Sequence, residues 1–255
     1  MPATMNIRPV FGKIKCSMGR QIGAVFTAGI NAFLCWFAFI GHDVLAQTSP
    51  PDTIAQRVIA CTACHGKEGR AASDGYYPRI AGKPAGYLYN QLMNFREGRR
   101  KYPLMVYMVD HLSEDYLHEI AAYFSNLHPP YPPPQAMIAS QADMELGGRI
   151  VRSGDPARNV PACIACHGKT LTGVAPSIPG LAGLPFDYMS AQLGAWKIGT
   201  RRAAEPDCMA AISSRLTGEE IGAALTWLAA QPIPSETAPA TASEKLPLSC
   251  GSFPQ

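Results

Sequence analysis

The segment Cys61-Thr62-Ala63-Cys64-His65 returns as Cys163-Ile164-Ala165-Cys166-His167, and its surroundings return with it. Gly-Lys follows both. Pro78-Arg79-Ile80-Ala81-Gly82 is answered by Pro179-Gly180-Leu181-Ala182-Gly183, Tyr87 with Gln91-Leu92 by Tyr188 with Gln192-Leu193, and Gly98-Arg99-Arg100 by Gly199-Thr200-Arg201-Arg202. Met105 stands eight residues before Ser113, as Met209 stands eight before Thr217, and the offset stays between 101 and 104 residues throughout. Such constancy marks one folded unit written twice, over residues 52–127 and 140–230.

Each copy reads as a few short helices joined by loops. Asp52 or Thr53 can cap a helix that leads into the first CxxCH, Pro84 suits the first turn of a helix running to about Arg96, and Ser113 caps a third. That third helix carries Glu114 and Asp115 where negative charge suits its dipole, and Leu117, Ile120, Ala121 and Phe124 along one apolar face. In the second copy Ser140 with Asp143 and Thr217 with Glu220 have capping-box spacing, opening helices through Ile150 and Trp227. No segment shows strand alternation, so the fold class is all-α. The 23 Gly and 23 Pro speak against long uninterrupted helices.

Residues 1–46 read as an export signal. Arg8, Lys13, Lys15 and Arg20 form a basic start, residues 22–40 are apolar and uncharged, and Val44-Leu45-Ala46 offers small residues for cleavage. The alternative is a retained membrane anchor, because the apolar run approaches a bilayer-spanning length. Of 22 basic and 19 acidic residues, this segment holds four and one, which leaves 18 of each. A neutral remainder gives no support for nucleic-acid binding. The other divisions are a first domain over 47–128, a proline-rich linker over 129–139, a second domain over 140–231, and a tail over 232–255 that is poorly ordered unless Cys250 ties it down. With Cys208 the one other cysteine outside the motifs and the signal, a Cys208–Cys250 disulfide is a hypothesis for an oxidising compartment.

A CxxCH sets two thiols where they can add to both vinyl groups of one haem and puts the adjacent imidazole beneath the iron. Cys61, Cys64, Cys163 and Cys166 are therefore candidate attachment points for two covalently bound c-type haems, with His65 and His167 as axial ligands. A redox dithiol would sit in a βαβ pattern that is absent, and structural zinc needs a fourth ligand that Cys208 could supply to one copy only. For the sixth ligand, His111, His118 and His128 all lie in the first copy and the second holds no histidine but His167. A shared scheme then requires methionine, and Met105 and Met209 are the pair at matching positions. Met93, Met108, Met144 and Met189 read as packing residues, although Met108 competes with Met105.

The order CxxCH, Pro-x-x-Ala-Gly, Tyr-x-x-x-Gln-Leu, methionine and final helix, repeated, resembles the dihaem cytochrome c4 family over nearly all of residues 52–230. The resemblance implies two tandem class I cytochrome c domains, ligation by His65 with Met105 and by His167 with Met209, and a hydrogen bond from each histidine to the carbonyl of Pro78 or Pro179. It also implies an electron carrier rather than an enzyme. Its partners would be redox proteins such as a quinol-oxidising complex, a dehydrogenase or a terminal oxidase, in the periplasm, with membrane-surface association if the anchor stays. The proline-rich linker, the long tail and Cys208, a thiolate ligand in waiting beside Met209, depart from the family pattern. Cys208 keeps open an enzyme of thiosulfate dehydrogenase or peroxidase type, and the anchor a cytochrome subunit of a membrane dehydrogenase. Arg99-Arg100-Lys101 and Arg201-Arg202 are candidates for the charged rim of a partner surface or for pairing with haem propionates.

Overall fold

Thr53 opens the first copy, its hydroxyl accepting from the Gln56 N–H, in a computed structural model that describes residues 51–71, 75–241 and 245–253. The export segment read over 1–46 lies outside the described residues. Two short helices follow, α1 (Ile54–Arg57) and α2 (Ile59–His65). The chain then turns at Gly66, where φ is 74° and a Cβ would stand 2.4 Å from the Ala71 carbonyl oxygen, so only glycine fits. Next come α3 (Ala85–Arg96), α4 (Pro103–Val109) and α5 (Glu114–Ser125). Ser113 caps α5 by accepting from the Tyr116 N–H. Leu117, Ile120, Ala121 and Phe124 are all buried, against Val58, Leu88, Phe95 and Val109. Each of these Val, Leu, Ile and Phe side chains contributes about 1.5–3 kcal/mol on leaving water, and Ala121 less.

The second copy runs α6 (Gln141–Ser153), α7 (Cys163–His167), β1 (Gly173–Ala175), β2 (Ile178–Pro179), α8 (Phe186–Lys197), α9 (Cys208–Arg215) and α10 (Gly218–Ala229). Both expected capping boxes form, Ser140 with Asp143 and Thr217 with Glu220. Helices α6 and α10 cross with almost no gap: a Cβ on Gly147 would meet the Ala223 carbonyl oxygen at 2.1 Å. Ile150, Val151, Leu225 and Leu228 close the core at that crossing.

Two features depart from the sequence reading. Helices α4 and α9, which carry Met105 and Met209, were not anticipated as helices. A small sheet also forms: β1 pairs antiparallel with β2, Val174 opposite Ile178, and β3 (Ala240–Thr241) adds in parallel. Strands of two or three residues are too short for alternation to show.

The linker is held at both ends. The Arg79 guanidinium donates to the carbonyls of Pro129 and Pro130 and lies 3.9 Å from the Tyr131 ring centroid. Farther on, the Gln135 N–H donates to the Ala229 carbonyl and its side-chain oxygen accepts from the Phe186 N–H. Cys250 does tie the tail down, through a disulfide to Cys208 with Cα atoms 5.2 Å apart. The neighbouring Ser252 carbonyl accepts from Asn90 in the first copy at 2.9 Å and from Ser177 in the second at 2.7 Å. Among the described residues no helix is long and apolar enough to cross a membrane.

Candidate haem sites

Helices α2 and α7 end on their histidines, and both imidazoles turn inward. His65 Nδ1 lies 2.9 Å from the Pro78 carbonyl oxygen, and His167 Nδ1 lies 2.7 Å from that of Pro179. A carbonyl can only accept, so Nδ1 carries the proton and Nε2 is left with a free lone pair. Burial pushes both imidazoles below their ordinary pKa. The carbonyl bonds oppose this in part, and the positive charges of Arg100, near His65, and Lys83, near His167, add to it. A neutral ring with Nε2 unprotonated is the form that binds a metal, and the second hydrogen bond fixes its orientation.

The two proximal loops are built alike. The Gly69 carbonyl accepts from the Ile80 and Ala81 N–H groups, and the Leu171 carbonyl from those of Leu181 and Ala182. Both acceptor residues have positive φ, 72° and 60°. Cys61, Cys64, Cys163 and Cys166 take part in no disulfide. Burial raises the thiols of Cys61 and Cys166, and raises that of Cys163 to about 11. Among the described residues no cluster of three or more His, Cys, Asp or Glu could hold a metal ion, and the disulfide removes Cys208 as a fourth zinc ligand or as a thiolate ligand to iron.

One cavity of about 760 Å³ reaches both motifs, lined by the paired cysteines and histidines and mostly by apolar side chains. Met105 and Met209 line it, each half-buried. Met108 lines it too but is 41% exposed, so it is not the core residue its sequence context suggested; Met189 is one.

The arginines of the repeat occupy the seam between the copies. Arg100 donates to Gln91 in its own copy and to Tyr188 and Gln192 in the other, at 3.1, 3.3 and 2.7 Å. Arg201 mirrors it, donating to Gln192 and, across the seam, to Gln91 and Tyr87 at 2.7, 3.0 and 3.5 Å. The backbones pair at Arg100 and Arg201, with Lys101 N–H to Thr200 O and Arg202 N–H to Arg99 O. Arg201 is 5% exposed. Burial lowers its pKa, and the facing Arg100 lowers it further. Burial would raise the Tyr188 phenol, but the pull of Arg100 and then Arg201 leaves it below its usual value. Among the described residues neither guanidinium forms a salt bridge with a carboxylate. The buried Arg201 cannot belong to a solvent-facing rim, and the half-buried Arg100 spends its guanidinium on the seam, which corrects that part of the expectation. Arg99 is tied to Glu97 and Asn94, which leaves Lys101 and Arg202 exposed.

No protein-family model matches the chain. Cytochrome c4 of Pseudomonas aeruginosa is 30% identical to it over 177 residues, which cover 68% of this chain and 84% of that protein. The chain belongs to the cytochrome c4 family. The fold agrees: reduced cytochrome c4 from Pseudomonas stutzeri superposes with a TM-score of 0.60 at 28% identity, over 69% of this chain and 96% of that one. This cytochrome c4 family member is also 36% identical to a thiosulfate dehydrogenase electron acceptor of Thiomonas intermedia, over 87% of its own length and 96% of the relative's. A thiosulfate dehydrogenase, TsdBA, from Marichromatium purpuratum matches with a TM-score of 0.60 at 32% identity; the match covers 71% of this chain but only 38% of that one.

The cofactors are two covalently bound c-type haems, as in the family's dihaem cytochromes. The residues present fit such groups. The cavity is apolar and reaches both CxxCH motifs, each imidazole is oriented by a proline carbonyl, and the buried Arg201 and half-buried Arg100, neither with a carboxylate partner among the described residues, suit the carboxylates that haem carries.

Proposed function

We propose that the chain is an exported electron carrier in which His65 with Met105 and His167 with Met209 ligate two haems bound through Cys61/Cys64 and Cys163/Cys166. The observation that carries this reading is the duplicated proximal geometry, in which two buried histidines are each fixed by a proline carbonyl inside one shared cavity. Bound haem supplies a reversible one-electron change at iron. The chain's own residues do the rest. The prolines hold each ring in one tautomer, the apolar lining excludes water, and Arg100 and Arg201 would pair with the carboxylates of bound haem. Met105 is preferred to Met108 because it packs partly buried against the first core.

With a histidine and a methionine holding each iron, no position would be left for a substrate, so transfer would be outer-sphere and the chain would serve as a carrier rather than an enzyme. Sequestration of Cys208 in the disulfide weighs against the enzyme alternative. The relatives named as thiosulfate dehydrogenase electron acceptors favour a dehydrogenase of that kind as electron donor, with a terminal oxidase or reductase downstream and the periplasm as compartment. Exposed Leu104, Tyr107 and Met108 on α4, beside Met105, offer such a partner an apolar landing surface.

The test is haem stoichiometry and spectroscopy of protein made in a host competent for cytochrome maturation. Two haems per chain and a methionine-to-iron near-infrared band are expected. Met105→Ala and Met209→Ala should each remove half of that band, and Met108→Ala none. Fewer than two haems, or a high-spin fraction in the native protein, would defeat the reading.

A further inference from the structure

Lys83 is 3% exposed, yet no carboxylate of the described residues pairs with it. Its ammonium leaves the first copy altogether and donates to the Gly180 carbonyl of the second at 2.7 Å. Gly180 directly follows Pro179, whose carbonyl holds the His167 ring. Lys83 also lines the shared cavity, and its charge is felt at the His167 imidazole. The repeat supplies an internal comparison: the matching position, Leu184, is aliphatic and buried in its own core. An interior lysine without a counter-ion is costly. Here it brings one positive charge to the proximal side of the second centre.

We propose that Lys83, contributed by the first copy, raises the reduction potential of the haem in the second copy and so biases a single electron toward it. The reading rests on the ligation of that haem by His167. A ferric centre carries one more positive charge than a ferrous one, so a nearby fixed cation penalises the oxidised form. Because Lys83 acts across the seam, the first copy tunes the second through a side chain that the second copy does not itself possess.

The experiment is a spectroelectrochemical titration of the holoprotein and of Lys83→Gln and Lys83→Leu. It is run at pH 6, where the amine, pulled down to about 7 by burial and by Arg79, is protonated. Gln keeps a donor for Gly180 without the charge. Leu copies position 184, where this fold already accepts it. Met209→His, which lowers only the second centre, assigns the two waves. Both Lys83 variants are expected to lower the second centre's reduced-to-oxidised ratio at fixed potential on the order of tenfold, about 59 mV for a one-electron couple, and to move the first by less than half as much. Unchanged waves, equal shifts of both, or a shift in the Leu variant alone would overturn the proposal, the last by pointing to the hydrogen bond. Haem content is counted first. Two haems with unshifted waves sink only the role of Lys83, whereas fewer than two sink the carrier reading and this one with it.

Discussion

Two guanidiniums facing one another inside a protein repel, and each loses hydration that neutral amide and phenol oxygens only partly replace. Arg100 and Arg201 meet under those terms, and carboxylates from bound haem are the natural relief. The idea separates two outcomes. If the haem carboxylates are the counter-charge, Arg201→Met destabilises the holoprotein by roughly 3 kcal/mol in urea unfolding, because an anion is left buried and unpaired. If the cation has no partner, its removal is neutral or stabilising. Leu171 makes a second point at this scale. It accepts a φ of 60° where the first copy uses Gly69 at 72°, so the same backbone turn is built once from the residue suited to it and once under strain.

Among the elements, helix starts were the most legible. Thr53, Ser113, Ser140 and Thr217 each cap the helix that follows, because capping depends on a side chain and a backbone N–H only two or three residues away. Helices α4 and α9 were not legible: α4 opens on Tyr102 with no side-chain cap, and α9, although Asp207 caps it by accepting from the Ala210 N–H, is only eight residues long and buries Ser213 alone. The cap of α10 doubles as an anchor. Glu220 accepts from the Thr217 N–H at 2.8 Å and from both terminal nitrogens of Arg158, whose Nε also pairs with Asp155. The Arg158 bonds, followed by the Thr217 N–H, hold the carboxyl down at about 2 from its ordinary 4.5. A depressed carboxylate contributes stability above its unfolded pKa and loses it as pH falls through the folded one. Glu220→Gln should therefore lower Tm by roughly 2–4 °C at pH 6, with the difference from native shrinking between about pH 4.5 and pH 2 in thermal melts. A constant difference across that range would contradict the assignment.

At the scale of the whole molecule, the repeat announced two haem-attachment motifs and two copies of a fold, because those follow from local spacing. The seam was hidden. Nothing in the sequence distinguishes an arginine aimed at solvent from one aimed at its counterpart a hundred residues away, or indicates that Lys83 crosses to Gly180. The tail was legible only through cysteine arithmetic. Cys208→Ser with Cys250→Ser is expected to cost about 2–4 kcal/mol in chemical unfolding and to open the chain beyond α10 to limited proteolysis, while both haems are retained. Equal resistance of the two proteins would mean that β3 and the Ser252 contacts suffice by themselves.

Because each half completes its arginine's hydrogen bonding with the other half's tyrosine and glutamine, cutting the chain between the copies would remove two acceptors from each guanidinium at once. A lone half would expose an open-sided crevice and a stranded cation.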